Sequence, residues 1–163
     1  MNQQLILLLA TIPLIACGDA PPRTTSAKGT LLCGEKPYED ARVRLYRMNS
    51  EDNKEILDYK VTSSSGMFQV DGNTQGRPKN ESIMTPFVRI YHKCDENPQK
   101  DASFCSNSPL NRFLFIRGFR RFQMQIPAEF VFNGRLAKQA FNLGSMNLQL
   151  IFPGETMEKH FQE

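Results

Sequence analysis

The sequence predicts an all-β protein, an antiparallel β-sandwich of about seven to eight strands behind an export leader. Three observations predict it. Apolar and polar residues alternate with period two, as where Ala41, Val43 and Leu45 interleave with Arg42 and Arg44. The alternating runs are short and are closed by Gly, Pro, Asn and Ser at sandwich-like spacing. No stretch sustains a 3.6-residue period, which argues against a helical bundle.

The first element is the leader. Residues 5–16, LILLLATIPLIA, are apolar and uncharged. The run is shorter than the roughly 20 residues of a spanning helix and suits the h-region of a secretory signal. Residues 1–18 are therefore expected to be a signal peptide, cut after Gly18 or after Ala16. Its n-region is weak, since Asn2, Gln3 and Gln4 carry no charge. A rival reading takes Leu14-Ile15-Ala16-Cys17 as a bacterial lipoprotein box with Cys17 lipidated.

Residues 19–27, rich in Pro, Thr and Ser, read as a flexible spacer, residues 28–155 as one folded domain and residues 156–163 as a disordered tail. About 135 residues remain for folding, enough for a single core. No other segment is long and apolar enough to span a membrane, so the mature chain is expected not to be transmembrane. A net charge of +3 is too small to imply nucleic acid.

Strands are expected at 29–33, 41–47, 56–62, 67–71, 87–93, 122–126, 138–143 and 145–152. The first two are joined by a polar Gly/Pro turn. Leu57, Tyr59 and Val61 share one face of the third; Phe68 and Val70 one face of the fourth; Val88, Ile90 and His92 one face of the fifth; Phe122, Met124 and Ile126 one face of the sixth. Gly66, Gly72, Gly134 and Gly144 fall at run ends, and Pro127 would end a strand because it cannot donate to a ladder.

In an exported protein cysteines are disulfide candidates before they are metal ligands. Cys94 and Cys105 flank a polar loop and are the expected pair. A bridge there would contribute roughly 2–3 kcal/mol. Cys33 is left with Cys17 as a partner if cleavage spares it, or else is a small buried hydrophobe. Asn80-Glu81-Ser82 is a glycosylation sequon in a polar loop, with Asn80 the acceptor.

The blocks KGTLLCGEKP, VRLY, SSSGMFQVDGNT, VRIYHKC, RRFQMQIPAEFV and FNLGSMNLQLIFPGE, in that order, resemble the nematode transthyretin-like family over residues 28–155. The resemblance implies a transthyretin-like (prealbumin-type) sandwich, a secreted or cell-surface protein, and no enzymatic activity established for the family in general. Two departures stand out. Family members often carry a further cysteine just after the PGE-type block, and here the tail reads TMEKHFQE, which removes the likeliest partner of Cys33. The segment after Cys105 is also longer than the family pattern, by SNSPLNRFLFIRGF.

That insertion, extended through Arg121 and Phe122, interleaves Arg112, Arg117, Arg120 and Arg121 with Phe113, Phe115, Phe119 and Phe122. Arginine pairs with phosphate and phenylalanine seeks an apolar partner, the composition of a loop that touches an anionic surface. Each basic residue near an anionic leaflet is worth about 1 kcal/mol. The competing reading makes Phe113, Phe115 and Phe122 inward residues of a lengthened hairpin with the arginines as its solvated face. RNA stacking on the aromatics is remote for an exported chain.

Catalysis finds little support. The hydroxyisourate hydrolases, which resemble the family in architecture, use a histidine cluster and a C-terminal Tyr-Arg-Gly-Ser type ending, whereas this chain has His92 and His160 and ends in HFQE. Neither a phosphate loop, a nucleophile elbow nor paired zinc ligands occur, so no cofactor or metal is expected. The leading expectation is a secreted, non-enzymatic binding or adaptor module that contacts an extracellular protein or cell-surface lipid headgroups. The alternative is a carrier of a small hydrophobic ligand, as in transthyretin itself.

Overall fold

The computed structural model describes residues 21–78, 81–94, 118–159 and 161. They form two five-stranded sheets packed face to face. The strands in chain order are β1 (Arg23–Cys33), β2 (Lys36–Pro37), β3 (Arg42–Tyr46), β4 (Ile56–Val61), β5 (Met67–Asn73), β6 (Phe87–His92), β7 (Phe119–Gln125), β8 (Phe132–Asn133), β9 (Phe141–Asn147) and β10 (Thr156–Glu158). The seven that exceed three residues carry the sandwich, and the three short ones extend its edges.

In sheet A the long β1 is central. It pairs antiparallel with β5 (Ala27 opposite Val70) and parallel with β9 (Leu31 opposite Met146). Sheet B runs β10-β7-β6-β3-β4, all antiparallel. Its centre is held by Val43 opposite Ile90 and Ile90 opposite Phe122. The alternation read from the sequence is the inward face for Val43, Leu45, Phe68, Val70, Val88, Ile90 and Phe122, all buried in one cluster, to which the structure adds Leu31 and, from the expected spacer, Ala27.

Three expectations are corrected. The folded part starts at Arg23 rather than at residue 28, because Thr24 and Thr25 are buried strand residues whose hydroxyls donate to the carbonyls of Gly72 (3.0 Å) and Phe130 (2.9 Å). A polar stretch without alternation thus becomes strand because its short hydroxyls find backbone acceptors. The two late strands are one, β9, which runs through Gly144 at φ +70 beside a register shift in β1. Residues 148–155 form a loop instead, with Phe152 stacked on Phe122 at 4.2 Å between ring centres. The tail, expected to be disordered, begins with β10 hydrogen-bonded to β7.

The turn SSSG predicted from its residues is essential at Gly66. Its φ is +68 and a Cβ there would sit 2.3 Å from the Leu31 carbonyl oxygen, which only glycine avoids. The edge strand β4 is blunted by Asp58, whose carboxylate accepts from the N–H of Tyr59 (2.8 Å) and from that of Asp71 on β5 (3.0 Å). An acidic group on an edge occupies donors that a foreign strand would otherwise use.

Candidate functional site

The site grows from two near-identical blocks, VRLY at residues 43–46 and VRIY at residues 88–91. Alternation sends the aliphatic residues of each inward and Arg44, Tyr46, Arg89 and Tyr91 to the outer face of sheet B. Because β3 and β6 are antiparallel neighbours, Arg44 stands opposite Arg89 and Arg42 opposite Tyr91. Like charges directly across a ladder are unfavourable, so this face must be stabilised by what surrounds it.

Arg89, with 1% of its side chain exposed, donates to Gln123 Oε1 (3.0 Å), Asn49 Oδ1 (3.0 Å) and Glu51 Oε2 (3.3 Å) and lies 4.2 Å from the Tyr46 ring centre. Arg44 lies among aromatic rings: its guanidinium is 4.1 Å from the Phe161 ring centre, 5.5 Å from Tyr91 and 5.6 Å from Tyr59. Guanidinium is weakly hydrated and stacks on rings, which lets it be buried where lysine would not. Arg121, opposite Tyr91, pairs with Glu51 (2.8 Å) and Glu158 (3.3 Å). Burial lowers the Arg121 basicity, but the two carboxylates outweigh it and hold the group above its ordinary value.

Burial, and after it a hydrogen bond with Tyr46, pushes the Tyr91 hydroxyl up to about 12. It stays protonated at neutral pH and serves as a hydrogen-bonding group rather than a base. A polar cleft of about 230 Å³ opens on this face, lined by Arg44, Tyr46, Tyr91, Glu51 and Glu158 among others. The arrangement can hold aromatic rings against guanidinium groups and orient polar partners. Among the described residues no group of three or more His, Cys, Asp or Glu side chains could hold a metal ion.

The sequence-predicted residues fall differently. Cys94 is bonded to Cys33, with Cα atoms 5.8 Å apart, which corrects the expected Cys94–Cys105 pair. The ends of β1 and β6 meet at one end of the sandwich, so the bridge ties sheet A to sheet B, a proximity invisible in the spacing of the cysteines. Cys33 therefore has its partner without a further cysteine after the PGE block. Cys17, Asn80, Cys105, Arg112, Phe113, Phe115 and Arg117, with the signal at 1–18, lie outside the described residues.

Of the Arg/Phe segment, Phe119, Arg120, Arg121 and Phe122 are all in β7. Phe122 is inward and 1% exposed, as the hairpin reading has it. Arg120 and Arg121 are not a solvated face. The Arg120 Nε donates to Glu155 Oε1 in a close ion pair, and its other nitrogens donate to the carbonyls of Leu148 and Leu150, both at 3.0 Å. Phe119 packs under the guanidinium of Arg42 at 4.5 Å. His92 is fully buried, edge-on to Tyr38 and Phe122, and its Nδ1 accepts from the Cys94 N–H at 3.3 Å.

The functional candidates that sequence reasoning passed over are Arg44, Arg89, Tyr46, Tyr91 and Phe161. The duplicated Arg-x-Tyr spacing was the available signal, since it places the same pair on the same face of two strands.

Comparison with known proteins agrees with this architecture. The family model described as "TTR-52: Transthyretin-like family" matches residues 28–127. Transthyretin-like protein 46 of Caenorhabditis elegans is 28% identical over 159 residues, covering 97% of this chain and 76% of the relative. Transthyretin-like protein 33 of the same organism is 32% identical over 150 residues, covering 89% of each chain. Family match, relatives and two-sheet fold converge, and the chain belongs to the transthyretin-like family.

Proposed function

We propose that this protein is a secreted, non-enzymatic adaptor that binds a protein partner or an anionic cell surface through the outer face of sheet B. The observation that carries the reading is the buried, like-charged pair Arg44 and Arg89 set among Tyr46, Tyr59 and Tyr91. Such an arrangement stabilises a fold less than an apolar one of equal volume does, so its presence favours a binding role. Arginine and tyrosine are also the residues enriched at binding hot spots. Export rests on the apolar run at 5–16, and the buried setting of His92 supports a structural rather than a catalytic histidine.

The internal pairing of Arg120 and Arg121 favours a protein partner over lipid headgroups, since a guanidinium already held by carboxylates offers less to phosphate. The test uses purified protein with intact cells, cells shaved with trypsin, and phosphatidylserine or neutral vesicles at low and high salt. The expected result is saturable cell binding lost on shaving and weakened at least tenfold by Arg44→Gln, with folding of the variant checked by circular dichroism. Salt-sensitive binding to phosphatidylserine vesicles alone would assign the lipid arm of the reading. Binding to neither cells nor vesicles would overturn it.

A further inference from the structure

The outer face of sheet B already holds a ligand-like group, supplied by the chain itself. Phe161 sits in a cage made by Arg44 (4.1 Å from guanidinium carbon to ring centre), Arg42 (4.9 Å), Tyr91 (ring centres 4.9 Å apart, edge-on) and Phe119 (5.1 Å). Two cations and two rings around one phenyl ring are a receptor for an aromatic side chain, because the guanidinium groups take the ring face while the neighbouring rings supply edges and apolar area.

The segment that delivers Phe161 is held lightly, and its root is held firmly. Phe152 stacks on Phe122, and Glu155 is clamped by Arg120 and by the Phe152 N–H (3.1 Å). Beyond Glu155 three residue pairs and the Thr156 hydroxyl, which accepts from Arg121 Nε at 3.2 Å, join β10 to β7, and Met157 is 54% exposed. Glu158 makes the other anchor, on Arg121. The segment can therefore peel away from Thr156 onward while the sandwich stays closed behind it, which frees both the cage and the β7 edge.

We propose that the cage and the adjoining β7 edge form a docking site for a segment of a partner protein that pairs with β7 as a short strand, ends it on an acidic residue, bends, and places an aromatic residue three positions later in the cage. In the isolated chain, Glu158 and Phe161 occupy the site in cis. The partner segment adds a strand along β7 where β10 lay, a mode in which main-chain bonds give affinity and side-chain pockets give selectivity. The cis segment acts as a competitor whose effective concentration is on the order of millimolar for so short a tether, so the site is closed until a better-fitting segment arrives. This inference rests on the reading of the domain as a binding module and names the kind of segment it takes.

The test is fluorescence polarisation with a labelled peptide of sequence TMEKHFQE, added to the full chain. The double variant Glu158→Ala, Phe161→Ala removes both cis anchors at the tail and leaves the core untouched. The expected result is at least tenfold tighter binding of the peptide to the variant than to the unaltered chain, and loss of that gain when the peptide's phenylalanine is replaced by alanine. Equal binding to both chains would overturn the proposal, as would a phenylalanine-free peptide that competes as well as the original. Either outcome with cell binding retained would leave the adaptor reading standing; loss of cell binding with peptide capture retained would remove the adaptor reading and keep the docking site.

Discussion

The centres of the two faces of sheet B are both buried and are built from opposite materials. On the inner face Val43, Leu45, Val88, Ile90 and Phe122 are at most 1% exposed and belong to one hydrophobic cluster. On the outer face Arg44, Tyr46, Arg89 and Tyr91 are at most 7% exposed, although the same strands deliver them and, among the described residues, no second sheet covers them. Inner burial follows from volume and dispersion, which any well-fitting hydrophobe satisfies. Outer burial holds only while each guanidinium keeps its acids, amides or rings, so it is sensitive to substitution, pH and the position of the tail. A face that depends on specific partners is also a face that can exchange them.

The largest effect is expected on the inner face. Phe122→Ala empties a site where the ring stacks on Phe152, and a loss of about 3–5 kcal/mol in urea unfolding is expected. A loss below 1 kcal/mol would mean that the two sheets are not joined through this ring. Next comes the bridge between the sheets. The bond from Cys33 to Cys94 closes a separation of 61 residues, and removing both sulfurs with Cys33→Ala and Cys94→Ala should cost about 2–4 kcal/mol, towards the upper end for so long a loop. Mass mapping of the non-reduced protein should recover a peptide pair holding these two cysteines, and a pair holding Cys94 with Cys105 would contradict the assignment.

The outer face is tested by a pair of substitutions. Arg89→Ala leaves Gln123 and Asn49 without their donor and opens space beside Tyr46, and about 1–3 kcal/mol should be lost. Arg89→Met keeps the volume, and recovery of most of that stability alongside lost cell binding would separate the functional from the structural role of this arginine. Recovery of both would show that the charge is dispensable.

The smallest effects come from titration, and they belong to the polar contacts alone. The hydrogen bond from Arg47 holds the Glu55 carboxyl below the usual carboxylate range. Burial pushes Glu155 up, yet bonds from Arg120 and the Phe152 N–H outweigh it and hold this group low as well. In both, the unfolded chain takes up protons first, so their contribution is complete above the ordinary value of about 4.3 and is lost as the pH falls through the lower folded values. At the other extreme, Tyr91 releases its proton at about 12 when folded and at 10.0 otherwise, so its contribution is present below 10.0 and fades as the pH rises towards about 12. Unfolding midpoints measured across pH should therefore fall at both ends, and Tyr91→Phe should flatten the alkaline limb only.

Much of the fold was legible because period-2 alternation is a local signal, and most strands announce a buried face without reference to a partner; β4 is the exception, since a register shift puts Leu57 against the core while Tyr59 and Val61, expected on the same face, are exposed. That is how residues 41–47, 56–62, 67–71 and 87–93 map onto β3, β4, β5 and β6 with ends displaced by a residue or two. The reading failed where the cause was not local. Thr24 and Thr25 carry no alternation and are strand because Gly72 and Phe130 offer acceptors far along the chain. Lys138 was expected in a strand, yet the ladder with β1 begins only at Phe141. In the Arg/Phe segment the residue types were informative, but which acids would meet Arg120 and Arg121 depended on how loop 148–155 and residues near Glu51 fold back over β7.

By itself, then, the sequence determined the all-β class, the positions of most long strands, their inward faces and the family blocks, since all of these follow from neighbours in the chain and the geometry of one strand. Tertiary structure alone decided that Cys33 meets Cys94, that Arg44 stands against Arg89, and that Phe161 returns to a cage on the sheet it leaves. Those are contacts between residues tens of positions apart. They are set by the order and register of strands in a sheet, which a single strand's pattern does not encode.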